Sequence, residues 1–90
     1  MNKILIGYLN EFLDMVNKEL NEKFPNPDNI QNLAKIKEEV LKLAESKNLQ
    51  DFSQLQEIII YYYEKLKTLF PEEELNSFLT QISQKLSQNL

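Results

Sequence analysis

The sequence predicts an all-α chain folded as an antiparallel, up-down-up-down four-helix bundle. Three observations lead to that expectation. Apolar residues recur at i, i+3 and i+4 through four separate stretches. Helix-ending and capping residues fall between them, at Phe24-Pro25-Asn26-Pro27, Lys47-Asn48 and Phe70-Pro71. One glycine and three prolines among 90 residues leave little chain for loops. That length suits one domain with a modest core, so residues 1–90 are read as a single bundle. The helices are expected over about 3–23, 29–47, 52–69 and 71–88, with short links that make consecutive helices antiparallel.

The first helix carries Leu5, Leu9, Phe12, Leu13, Val16 and Leu20 on one face. Ile4, Tyr8 and Met15 form a narrower stripe beside it, which suits either a second bundle neighbour or a partner. Gly7 weakens the first turns by up to ~1 kcal/mol relative to alanine. Pro25 and Pro27 end the helix, because each lacks an N–H and disfavours helical geometry in the residue before it.

Asp28 or Asn29 is the expected cap of the second helix. Its face reads Ile30, Leu33, Ala34, Ile36, Val40, Leu41, Leu43 and Ala44, with the two alanines allowing close approach of a neighbour. Lys35, Glu38, Glu39, Lys42 and Glu45 occupy the opposite, solvated side, and Glu38–Lys42 is a favourable i, i+4 pair. Lys47-Asn48 reads as a stop, a cation at the negative helix end followed by a residue that tolerates left-handed geometry. Leu49-Gln50 is the link.

Asp51 then caps the third helix, in a capping-box spacing with Gln54. The run Ile58-Ile59-Ile60-Tyr61-Tyr62-Tyr63 could be a strand in isolation, but no second strand candidate exists and helical spacing continues through Leu66 and Leu69. Phe52, Leu55, Ile59, Tyr62, Tyr63, Leu66, Leu69 and Phe70 are assigned to the inner face, with Ile58 on its rim. Ile60 and Tyr61 point outward. A helix apolar on nearly every side has neighbours on more than one side, so this helix is expected to be the most buried, with Leu66 central.

Pro71 suits the first position of the fourth helix, and Glu72, Glu73 and Glu74 suit the positive end of its dipole. Leu75, Phe78, Leu79, Ile82, Leu86 and Leu90 form a narrow stripe near heptad spacing. Asn76, Ser77, Gln81, Gln84 and Gln88 make the other face polar but nearly uncharged.

Composition narrows the function. There is no cysteine, hence no disulfide or thiolate metal site, and no histidine, the commonest general base. All ten cationic side chains are lysine, and the net charge of −4 argues against a phosphate-binding surface. One glycine cannot form a phosphate-cradling loop. The Glu72–Glu74 cluster lacks a histidine or polar pocket to make it a metal or acid–base site. No enzyme, metal or cofactor is expected, nor a nucleic-acid partner. No signal-peptide pattern and no apolar run near the roughly 20 residues of a bilayer span are present, so a soluble cytoplasmic chain is expected. The arginine-free, Asn- and Ile-rich composition is what an AT-rich coding sequence yields, a hint of a low-GC bacterial source.

Recognition by a surface remains. The candidate partner-binding residues are Ile60, Tyr61, Lys65 and Thr68, flanked by Gln54 and Glu57 on the outer side of the third helix. Tyrosine brings large contact area at low entropic cost. The plainer reading makes Tyr61 an ordinary half-exposed tyrosine and Ile60 a boundary residue.

Three segments in order carry a family resemblance: IQNLAKIKEEVLKLAESK, then LQEIIIYYYEKLKTLF after a short link, then FPEEELNSFLTQISQKL. Together they span Ile30–Leu86, about two thirds of the chain. This order resembles the immunity proteins that protect Gram-positive producers from their own pediocin-like (class IIa) bacteriocins, the enterocin A immunity type above all. Members are often basic, whereas this chain is acidic. The resemblance implies an antiparallel four-helix bundle that acts from the cytoplasmic side. Its target would be the bacteriocin-occupied receptor, the membrane-bound mannose phosphotransferase permease. It implies that specificity resides in the C-terminal half, here the third and fourth helices. The alternative is a helical protein–protein interaction module of another kind, such as a phage-borne inhibitor or a self-associating bundle.

Overall fold

The computed structural model describes residues 2–89, without the side chains of residues 83 and 86–89. It contains four helices: α1 (Lys3–Lys23), α2 (Pro27–Ser46), α3 (Phe52–Lys67) and α4 (Glu72–Asn89). The starts of α1, α2 and α3 are each set by a side chain that satisfies backbone donors a helix leaves unpaired. The Asn2 side chain accepts from the N–H groups of Ile4 and Leu5. The cap of α2 is Asn26, whose side chain accepts from the Asp28 N–H at 2.9 Å. It is therefore neither Asp28 nor Asn29, and the helix begins two residues earlier than expected. Pro27 opens the helix at a position where its missing N–H costs nothing. At Asp51 one half of the expected box forms, the Gln54 N–H donating to Asp51 Oδ1 at 2.9 Å. The Gln54 side-chain oxygen Oε1 reaches one residue further back, accepting from the Gln50 N–H. Pro71 sits just before α4 instead of inside it, and its carbonyl accepts from the Leu75 N–H.

The stop after α2 is a Schellman motif. Asn48 is left-handed, with φ 53°, its N–H donates to the Glu45 carbonyl, and the Leu49 N–H donates to the Ala44 carbonyl. This turn carries Leu49 into the core, fully buried, so the link is not merely a polar spacer. The Leu49 carbonyl then accepts from the Asn2 N–H at 2.8 Å, tying the start of α1 to the α2–α3 link. At the opposite end Phe24, after α1, packs on Phe70, after α3, with ring centroids 5.1 Å apart. The two ends together place the helices up, down, up and down.

The helix around which the others pack is α1. It lies against α2 and α4 and touches α3 across the bundle; α3 also meets all three others, but α1 buries six residues against four in α3, while α2 and α4 do not meet among the described residues. All six residues of its expected face are buried. The expectation that α3 is the most buried helix is therefore corrected. Leu55, Ile58, Tyr62 and Leu66 are the buried residues of α3, with Phe70 just beyond. Ile58 is at the centre of that face, not on its rim, and Phe52 and Leu69 are exposed. The phase is set by the other three helices, all of which α3 meets. Along α2, Leu33, Ile36, Val40 and Ala44 are buried, but Ile30 and Ala34 are exposed, so Ala34 brings no neighbour close. Tyr8 and Met15 pack against the core from its edge, and Ile4 is exposed. Leu75 and Ile82 are buried in α4, while the Leu86 side chain and Leu90 lie outside the described residues. The radius of gyration, 12.6 Å, is close to the ~12 Å of a compact chain this long.

One polar contact crosses this core. The Tyr62 hydroxyl, on α3, donates to Asn17 Oδ1 on α1 at 2.5 Å. Asn17 Nδ2 in turn donates to the Leu33 carbonyl on α2 at 3.3 Å. Asn17 thus joins three helices. The buried ring of Tyr62 meets Phe12 edge-on at 6.3 Å. Burial, and then the nearby Asp14 charge, push the Tyr62 phenol far above its ordinary pKa.

Candidate interaction surface on the third helix

The expected site residues divide between two sides of α3. Tyr61, Lys65 and Thr68 turn toward α2. The Lys65 ammonium lies 5.5 Å from the Tyr61 ring centre and 3.9 Å from Glu39 Oε2 on α2. Tyr61 is half-buried and packs against the core, which matches the plainer reading of an ordinary half-exposed tyrosine and not a side chain pointing outward. The Thr68 hydroxyl donates to the Lys65 carbonyl at 2.7 Å, closing the helix end. Lys65 and Thr68 line a shallow cleft of about 250 Å³ with Lys35, Ile36 and Glu39. Of the flanking residues, Gln54 is engaged with Gln50, and Glu57 pairs with Lys47 at 3.7 Å.

Ile60 stands on the other side. It is 59% exposed and borders a groove of about 420 Å³ with Tyr8, Phe52, Leu55, Gln56 and Ile59. Phe52, 61% exposed, lines it as well, about two turns before Ile60 on the same helix. The groove lies between the first half of α3 and Tyr8 of α1. Reading Phe52 as a core residue hid this feature in the sequence, because a helix apolar on nearly every side does not reveal which residues stay outside.

Further along α3, the Tyr63 hydroxyl donates to Asn76 Oδ1 at 2.7 Å and lies 3.3 Å from Glu72 Oε1. Its pKa is raised, by local burial first and the Glu72 charge second. Glu74 pairs with Lys23 at 3.9 Å. The acidic start of α4 is thus tied into contacts with α1 and α3. Among the described residues no cluster of acidic, histidine or cysteine side chains is arranged to hold a metal ion, and no helix is long and apolar enough to cross a membrane. Comparisons with protein-family models, curated proteins and solved structures found no match.

Proposed function

We propose that this chain is a non-catalytic recognition module, a bacteriocin immunity protein of the pediocin-like type. It protects the producing cell by binding the bacteriocin-occupied sugar-permease receptor from the cytoplasmic side, through α3 and α4. The reading is supported by the resemblance over Ile30–Leu86. The observation that carries it in the structure is the α2-facing side of α3, where Lys65 lies over the half-buried Tyr61 ring, with exposed Ile60 on the other side of the same helix. Aromatic and cationic side chains held in place by neighbours suit protein recognition, since little freedom is left to lose on binding.

Expression in a bacteriocin-sensitive strain tests this directly. Resistance to at least one class IIa bacteriocin is expected, and Tyr61→Ala or Lys65→Glu should weaken it without loss of helical content. Unchanged sensitivity across a class IIa panel would overturn the proposal.

A further inference from the structure

We propose that the groove between Phe52 and Ile60 is the seam of a weak two-fold dimer, in which α3 of one copy lies antiparallel on α3 of a second. A two-fold interface uses one patch twice, so that patch must complement itself. This one offers a hollow and two exposed apolar side chains on its borders. Phe52 and Ile60 lie four residues on either side of Gln56, each displaced by roughly 6 Å along the helix. An axis through Gln56 therefore sets Phe52 of each copy against Ile60 of the other. The Gln56 amide has both a donor and an acceptor, so it can pair with its own copy on that axis.

Charge selects the occupant. None of the described residues lining the groove is charged, in a chain of which 27% is charged and whose net charge is −4. A strongly charged partner finds no countercharge here. Two like-charged copies meet here without bringing like charges into contact, and Glu57 beside the seam is already paired with Lys47. The patch is small against the roughly 800 Å² per partner of a stable interface, so association is weak and grows with concentration. The inference goes beyond the immunity reading and does not depend on it: Tyr61, Lys65 and Thr68 turn toward α2, outside the seam.

Sedimentation equilibrium on the full chain tests the dimer. The average mass should rise from 10.7 kDa toward twice that value as concentration approaches about 1 mM. Ile60→Lys, at an exposed position, should hold the monomer mass with an unchanged circular dichroism spectrum. Gln56→Cys supplies a second readout in a chain without cysteine. On mild oxidation it should form a disulfide dimer about tenfold faster than Gln31→Cys, an exposed control on α2. A monomer mass throughout, association of Ile60→Lys equal to the parent, or equal cross-linking of the two cysteine variants would overturn the inference.

Discussion

Replacing Tyr62 by phenylalanine removes one oxygen from the middle of the bundle and leaves the ring in place. What is lost is the 2.5 Å hydrogen bond to Asn17. A typical net contribution is about 0.5–1.5 kcal/mol. Asn17 is only half-buried, so water can reach its freed oxygen, which sets the expected cost of Tyr62→Phe at about 1 kcal/mol. Asn17→Ala should cost more, about 2 kcal/mol, because it strands the phenol of a fully buried ring without an acceptor. It also removes the side-chain donor from the Leu33 carbonyl. The double variant strands no phenol and should cost less than the two singles together, by about 1 kcal/mol of coupling. Urea denaturation followed by circular dichroism measures all four proteins, with an unchanged denaturant slope as the control for two-state behaviour. A double variant whose cost equals the sum of the singles within ~0.3–0.5 kcal/mol would refute the contact as a source of stability.

Three further outcomes are expected. The folded state holds the Tyr62 proton more tightly than the unfolded chain, so its contribution to stability is complete below the unfolded pKa of about 10 and is lost as pH rises beyond it. Stability measured through the alkaline range should therefore fall less steeply in Tyr62→Phe than in the parent. Gly7→Ala should stabilise by about 0.5–1 kcal/mol, since Gly7 is exposed in α1 and an added methyl group would meet nothing within 4 Å; thermal melting reads this out. Leu66→Ala should cost about 2–5 kcal/mol and Phe52→Ala less than about 0.5, a contrast visible in the same urea series, because Leu66 is fully buried and Phe52 faces solvent.

The face of α1 was legible because Leu5, Leu9, Phe12, Leu13, Val16 and Leu20 keep helical spacing along most of the helix, whereas the stripe of Ile4, Tyr8 and Met15 beside them is narrower and ends sooner. α3 lacked that bound. With six apolar residues in succession, Ile58 and Ile59 fit the stripe almost equally well, and only the positions of the neighbouring helices choose Ile58. The same excess concealed Phe52 on the surface. Ile60 was recognisable because it lies off every version of the stripe. Tyr61 was misplaced because a long ring can lean back over the core from a position whose backbone points away. Leu49 was overlooked because a two-residue link reads as polar punctuation, although an apolar residue after a left-handed stop is where a Schellman turn points inward. Asn17 left a fainter signal, an uncharged polar residue immediately after Val16 and four after Leu13, at the edge of the buried face. Its partner Tyr62 lies 45 residues away, and no local pattern pairs them.

Native-state amide hydrogen exchange tests the placement of α1 at the centre most directly. The amides of α1 between Leu9 and Leu20 should exchange only through complete unfolding, with opening free energies equal to the stability obtained in urea. Opening of those amides well below that limit, while α3 keeps full protection, would contradict a bundle assembled around the first helix.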